Sequence, residues 1–186
     1  DALTDTAAER LLQEVLKRGG AVGGSAAGAS ILASYLVRGN PLSNKPIMAE
    51  GYEDGFGLLP GVAVDPHFTQ RRRFGDMAKL KQAYPQLVGL GVDEETAIVV
   101  KGHEMEVVGR NRVCVFARNE PAAEGQRGFD VLSSGDRYDL RDRKRMGSNR
   151  PDAESLELAA NEASDADDGT DPDAAEPQPH PALLCE

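Results

Sequence analysis

The glycine- and alanine-rich stretch AVGGSAAGAS, residues 21–30, constrains the fold of this chain more than any other. It follows TAAERLLQEVLKRGG, an amphipathic helix that begins with a Thr6–Glu9 capping box and ends at Gly19. We interpret AVGG as a short buried strand and AAGASILASYLV as an apolar helix. A helix, a strand, a tight turn and a helix in this order predict a doubly wound α/β sheet.

The pattern changes near the middle of the chain. GVAVD and LVGLGVD read as buried strands, separated by the helix RFGDMAKLKQAYP. Beyond them, TAIVV, EMEVVG and RVCVFA are β-rich runs with turn residues between them, and FDVLSSGDRYDLRDRK adds a final strand and a polar turn. Only one helix precedes the first predicted strand, which would leave that strand without a partner on one edge. We therefore expect an α/β sheet that is incomplete at its N-terminus and β-rich towards its C-terminus.

The acidity of the chain comes from one segment. The net charge is −10, yet residues 151–186 carry eleven acidic and no basic residues, so the remainder is close to neutral. That segment is rich in Ala, Asp, Glu and Pro, a composition that predicts disorder. We place the folded part at residues 1–146 and an acidic tail at 147–186. A neutral body without a basic stripe argues against nucleic-acid binding, and no apolar stretch is long enough to span a membrane.

Three spots combine reactive side chains with turn geometry. A serine on a strand-to-helix turn is exposed and lies near backbone N–H groups that stabilise an oxyanion, which makes Ser25 a candidate nucleophile. The alternative is a small-residue turn that lets a helix pack closely on a sheet.

The two cysteines show no metal-site spacing: Cys114 lies in an apolar strand and Cys185 in the tail.

The other two spots follow strands. His67, in DPHF, stands where ligands bind in α/β sheets and is the best general base among three histidines, although a surface or capping histidine is the plainer interpretation. Asp93, Glu94 and Glu95 follow the next strand, where one carboxylate would orient the histidine or simply cap a turn. The three arginines 71–73 fit a bound carboxylate or phosphate, or a solvated helix start.

Together these segments resemble the serine peptidase family of cyanophycinases and dipeptidase E. The family elbow Gly-Gly-Thr/Ser-Ser-Ala-Gly-Ala-Ser corresponds to GGSAAGAS, and its Asp-Gln-His-Phe segment after GLGLLPG corresponds to GFGLLPGVAVDPHF. GIGIDEDTA corresponds to GLGVDEETA, and the late GDRYDL also matches. The likeness runs over about residues 6 to 145, with the motifs in the expected order.

The resemblance implies a fold and a set of roles. The fold is a three-layer α/β/α sandwich with a mostly parallel sheet, like flavodoxin and the class I glutamine amidotransferases. His67 would be the general base and Glu94 its orienting acid, while Asp65 and Arg73 would line the substrate pocket. Members hydrolyse aspartyl or isoaspartyl peptide bonds with a Ser-His-Glu triad and use no metal or cofactor. The implied partner is a peptide or isopeptide substrate; a homodimer and the compartment stay open.

The chain departs from the family at the position that matters most. In the ungapped match Ala26 occupies the nucleophile position, and Ser25 takes the place of a variable residue, which leaves Ser25 as the alternative nucleophile. The family's N-terminal part, with its first strands and oxyanion loop, has no counterpart here, Pro66 replaces a glutamine and Asp76 an arginine. We therefore expect this chain to be inactive, either as a peptidase fragment or as a non-catalytic protein that binds acidic peptides.

Overall fold

Three helices and three strands lie before residue 93, and the described residues beyond it contain only strands. The computed structural model describes residues 6–120, 124 and 127–148. In chain order the elements are α1 (Ala7–Lys17), α2 (Ala27–Leu32), β1 (Ala33–Tyr35), β2 (Leu59–Pro66), α3 (Phe74–Ala83), β3 (Val88–Val92), β4 (Thr96–Lys101), β5 (Glu104–Gly109), β6 (Arg112–Phe116), β7 (Asp130–Ser133), β8 (Asp136–Asp139) and β9 (Lys144–Ser148).

The larger sheet is mixed, in the order β1-β2-β3-β6-β7. Strand β2 pairs in parallel with β1 and with β3, whereas β6 is antiparallel to both β3 and β7. The prediction of a mostly parallel sheet therefore holds for only half of the strand pairs. The reason is that the β4–β5 hairpin, and not a crossover helix, connects β3 to β6, so the chain re-enters the sheet in the opposite direction.

The larger sheet is covered on each face by a different kind of layer. Helix α3 packs on one face, where Met77 and Leu80 join Phe68, Cys114 and Phe116 in one core cluster. The opposite face packs on a second, antiparallel sheet of order β4-β5-β8-β9 and forms the other core cluster. In the described residues the predicted α/β/α layering is thus confirmed on the α3 face, and a sheet occupies the other face.

Two predicted elements before β2 are wrong. The stretch AVGG at residues 21–24 forms no strand, and the predicted helix at 26–37 ends at Leu32. The next three residues, Ala33–Tyr35, form β1, which pairs with β2. The run ILASYLV is largely apolar and carries no period that separates a helix from a strand, so pairing with β2 decides its structure.

The first helix has the predicted ends. Thr6 is its N-cap and accepts a hydrogen bond from the Glu9 backbone N–H at 3.4 Å, and Gly19 follows its last turn at a φ of 82°. None of its residues is buried in the described structure, and Leu16 is 39% exposed. Its apolar stripe is therefore present but does not contribute to either core cluster.

The C-terminal region contains more strand than predicted. Three strands, β7, β8 and β9, replace the single expected strand, and β9 extends to Ser148, two residues beyond the predicted end of the folded part. Cys114 is buried, as predicted. The rest of the predicted acidic tail, with Cys185, lies outside the described residues.

The hydroxyl of Tyr138 provides a test of the packing between the two sheets. Tyr138 is fully buried, and its hydroxyl has no hydrogen-bond partner among the described residues. We expect Tyr138→Phe to leave the free energy of unfolding unchanged or to raise it by about 1 kcal/mol, because it removes an unsatisfied polar group. Chemical denaturation of the purified chain measures this.

Tyr35→Phe is the matched control. The Tyr35 hydroxyl accepts a hydrogen bond from Gln86 Nε2 at 2.9 Å, so its removal should lower the free energy of unfolding by about 0.5–1 kcal/mol. A larger loss for Tyr138→Phe than for Tyr35→Phe would contradict the expected packing.

Candidate active site

The turn before α2 shares two features with a nucleophile elbow centred on residue 26, a strained backbone and a helix that begins at the next residue, but no strand precedes it in the described residues. Ala26 is the N-cap of α2, with φ 47° and ψ −125°, a backbone conformation that non-glycine residues rarely adopt. A Cβ atom on Gly24 would lie 2.2 Å from the Gly28 carbonyl oxygen, so position 24 must be glycine for the turn to close. Gly24 and Gly28 flank residue 26 symmetrically, as in the G-x-S-x-G pattern.

Ser25 is adjacent to this centre and does not occupy it. Its carbonyl oxygen accepts a hydrogen bond from the Gly28 N–H at 2.8 Å, and its φ is not in the left-handed region. Both Ser25 and Ala26 line an open cavity of about 870 Å³. The strained position that would present a nucleophile therefore carries only the methyl group of Ala26.

His67 reaches the same cavity from the end of β2. The His67 backbone has a φ of 56°. The next residue, Phe68, is fully buried, and its ring lies against Gly91, where a Cβ atom would be 2.3 Å from the ring. His67 Nδ1 lies 2.9 Å from Glu94 Oε1. With the proton on Nδ1 and donated to this carboxylate, Nε2 is the nitrogen that is available to accept a proton.

The backbone of Glu94 is fixed by three side chains that the sequence analysis missed. Its N–H donates to Gln70 Oε1 at 3.3 Å, and its carbonyl oxygen accepts from Asn111 Nδ2 at 2.8 Å and from Thr96 Oγ1 at 3.2 Å. Asn111 lies in the turn between β5 and β6, so this contact spans 17 residues. The sequence shows only that Asn111 is a residue type common in turns. Its contact with Glu94 depends on the tertiary fold.

Of the three neighbouring acids, the structure brings only Glu94 to His67. Asp93 is buried and accepts a hydrogen bond from the Thr69 N–H at 2.9 Å. Glu95 has a φ of 54°, and its carbonyl oxygen accepts from the Arg110 N–H at 2.9 Å. Asp93 therefore fixes the segment after His67, and Glu95 closes the turn, while the Glu94 side chain faces the His67 imidazole.

Asp65 and Arg73 do not line the cavity that contains His67, so their place in the substrate pocket stays a prediction. Asp65 is fully buried, and Arg73 Nη1 donates to its Oδ1 and to the Pro66 carbonyl oxygen, the latter at 3.0 Å. Burial lowers the pKa of Arg73 from its ordinary value, and the charge of Asp65 acts in the opposite direction. The charge of Asp65, at the end of a buried strand, is thus compensated by the arginine eight residues later.

A second cavity, of about 420 Å³, lies on the Arg73 side of this ion pair. Its lining is mostly basic and consists of Arg38, Asn44, Lys45, Arg71, Arg73 and Asp76.

Among residues 6–120, 124 and 127–148, no group of three or more His, Cys, Asp or Glu side chains is arranged to hold a metal ion. Within the same ranges, no helix has the length and apolarity needed to cross a membrane.

A strained turn before a helix and a histidine–carboxylate pair that line the same cavity resemble the sites of hydrolases that use a nucleophile, a base and an acid. Residues 1–108 match the sequence model of "Peptidase family S51", which covers more than half of the 186 residues. The chain belongs to peptidase family S51, a family of serine peptidases.

Individual relatives agree with this assignment. The cyanophycinase of Geminocystis herdmanii is 29% identical over 153 residues, which cover 74% of this chain and 56% of the relative. The cyanophycinase of Synechococcus elongatus is 30% identical over 137 residues, covering 64% of this chain and 42% of the relative. The chain spans about half the length of the curated relatives it matches.

The fold is also found in a solved structure. The crystal structure of a peptidase from an acI-B1 Actinobacterium matches with a TM-score of 0.53 and 25% identity, over 74% of this chain and 52% of that one. The mixed α/β architecture described above is therefore shared with a peptidase.

The glycine at position 24 allows a direct test of the elbow. We expect Gly24→Ala to lower the free energy of unfolding by about 1–3 kcal/mol, because its Cβ must displace the Gly28 backbone. Gly23→Ala is the matched control: a Cβ there meets no atom within 4 Å, so its effect should stay within about 0.5 kcal/mol. Urea denaturation of both variants measures the difference, and equal effects would contradict the close approach at Gly24.

Proposed function

We propose that this chain carries the base and the acid of a Ser-His-Glu peptidase site and lacks the nucleophile, because Ala26 stands in its position. The observation that supports this most directly is the backbone of Ala26, φ 47° and ψ −125°, at the start of α2 in the cavity that His67 and Glu94 also line. The proposed parent activity is hydrolysis of aspartyl or isoaspartyl peptide bonds, and the chain with Ala26 is inactive.

Each group has a defined role in the proposed chemistry. A hydroxyl at position 26 would lose its proton to His67 Nε2 as its oxygen attacks the scissile carbonyl carbon. Glu94 would hold the imidazole by accepting from Nδ1–H and would stabilise the charged ring that forms. The backbone N–H of Ala27, the residue after the nucleophile position, would donate to the developing oxyanion. His67 would then donate its proton to the leaving amine.

The proposed substrate class rests on charge and on the relatives. The relatives are named cyanophycinases, and the family resemblance implies bonds next to aspartate. Around the second cavity, four basic side chains face two carboxylates, Asp76 and the Asp65 that Arg38 and Arg73 hold, and the net positive charge favours an anionic group such as a substrate carboxylate. We keep Arg73 as a substrate-binding candidate from this side and assign Asp65 the role of holding it.

The finer fold assignment belongs to the same proposal. Two parallel strand pairs and the α3 layer support an α/β/α sandwich of the glutamine amidotransferase type for the complete fold.

The alternative function is binding of acidic peptides without hydrolysis. The paired His67 and Glu94, 2.9 Å apart, favour it, because the cavity stays polar and organised without a nucleophile.

The nucleophile assignment can be tested by covalent labelling. We expect the purified chain to remain unlabelled by a fluorophosphonate probe, and Ala26→Ser to gain one label at position 26, located by peptide mass spectrometry. Ala26→Ser combined with His67→Gln should react at least about 100-fold more slowly, because the general base is absent. Ser25→Ala in the Ala26→Ser background is the control and should keep the label. A label on Ser25 of the unchanged chain would make Ser25 the nucleophile.

Ligand binding tests the substrate class separately. We expect calorimetry of the unchanged chain with a β-aspartyl dipeptide to show binding, while chromatography of the same sample shows no hydrolysis. The matched ligand, in which an amide replaces the free aspartyl carboxylate, should bind about 10-fold more weakly or worse, because it loses a charge-assisted hydrogen bond. Equal affinity for the two ligands would remove the basis for aspartyl specificity, and turnover by the unchanged chain would contradict the loss of the nucleophile.

A further inference from the structure

The buried carboxylate of Asp65 has two guanidinium partners. Arg73 donates to its Oδ1, and Arg38 Nη2 lies 3.2 Å from its Oδ2. Asp65 is fully buried, and the Arg38 and Arg73 side chains are each only 9% exposed. A carboxylate removed from water in this way requires compensation at each oxygen. Each guanidinium therefore fixes one of the two oxygens.

Arg38 also connects this ion pair to the loop that precedes β2. Its Nη1 donates to the carbonyl oxygens of Asn44 at 3.3 Å and Lys45 at 2.6 Å, and its backbone N–H donates to Ile47. Its Nη2 also contacts the partly exposed carboxylate of Asp76 at 2.9 Å. The backbone of Arg38 itself adopts a φ of 61°, which an arginine keeps only where surrounding contacts hold it.

The fixed carboxylate lies two residues before the histidine. Asp65 ends the buried part of β2, and Pro66 and His67 follow directly. Arg73 also donates to the Pro66 carbonyl oxygen at 3.0 Å, so the same network holds the peptide group that leads into His67. His67 then takes a left-handed φ of 56°, a conformation that requires support from its neighbours.

We propose that Arg38 is a positioning residue for His67: by holding Asp65 Oδ2 it fixes the Asp65–Pro66–His67 backbone and keeps the imidazole on Glu94. The inference rests on the proposed function only in giving His67 the role of base. Arg73 and Arg38 are not equivalent in this network, because Arg73 lies on the segment after His67 and Arg38 lies on a separate loop. Arg38 therefore makes the orientation of His67 depend on the loop at residues 44–47.

The readout is the His67 Nδ1–H proton, which donates to Glu94. Its exchange rate with water is measured by proton NMR of the unchanged, ¹⁵N-labelled chain, and its assignment is checked by its loss in His67→Gln. Arg38→Gln removes the charge, and Arg38→Lys keeps the charge but cannot reach two carboxylates and two carbonyl oxygens at once. Arg72→Lys, an exposed arginine next to Arg73, is the matched control.

We expect the exchange rate of the His67 Nδ1–H proton to rise about 10-fold or more in Arg38→Gln, less in Arg38→Lys, and less than about twofold in Arg72→Lys. Amide exchange of Val88–Val92 in β3, measured in the same samples, should stay within about twofold. An unchanged Nδ1–H exchange rate in Arg38→Gln overturns the proposal. An equal rise at the β3 amides also overturns it, because Arg38 would then act only on global stability.

These measurements do not depend on catalysis. If Ala26→Ser takes no fluorophosphonate label while the Nδ1–H exchange follows the expected order, the proposed function fails and the role of Arg38 stands. If Ala26→Ser is labelled and the exchange does not respond, the proposed function stands and the role of Arg38 fails.

Discussion

The parallel pairing of β2 with β3 is the constraint on which the candidate site depends. In the observed register Asp65 is opposite Gly91 and Pro66 is opposite Val92, so both strands end at the same edge of the sheet. The next residues along each strand are those that lead to His67 and Glu94. Antiparallel strands would place these two side chains at opposite ends of the sheet. The backbone hydrogen bond from Phe68 to the Val92 carbonyl oxygen, 3.2 Å long, continues this pairing past the strand ends.

The elbow and the histidine–carboxylate pair are built by separate parts of the structure. His67 and Glu94 depend on β2, β3 and the turn at residues 109–111, whereas Ala26 depends on the close approach of Gly24 to Gly28. No described contact of the pair involves the side chain at position 26. The absence of a hydroxyl there is therefore compatible with an intact base and acid, and the two halves of the site can change independently.

The sequence predicted the parts of the fold that local patterns determine. Apolar runs bounded by turn residues identified β2, α3 and β3 correctly, and the motif order drew attention to His67 and Glu94. The helix predicted across residues 33–35 was wrong, because a largely apolar run does not distinguish a helix from a strand, and pairing with β2 settles it. Of the sheet that covers the second face, β4 and β5 were predicted as β-rich runs, but β8 and β9 were not separated, because DRYD and KRMGS are too polar and short to stand out.

The residues that support the site were beyond sequence reasoning for a related reason. Arg38 meets Asp65 across 27 positions, and Asn111 meets Glu94 across 17 positions. Neither residue belongs to a motif, and polar residues in loops usually face solvent. Only the folded chain shows that one holds a buried carboxylate and the other a backbone carbonyl group.

The close approach of Gly24 to Gly28 places different structural requirements on positions 24 and 26. Any side chain at position 24 strains the turn, so a requirement for a stable fold alone is enough to preserve that glycine. Residue 26 is exposed, and Ala26 belongs to neither core cluster. A requirement for stability therefore cannot retain a nucleophile there. In this fold the close approach of Gly24 to Gly28 sets the shape of the turn, whichever side chain stands between them.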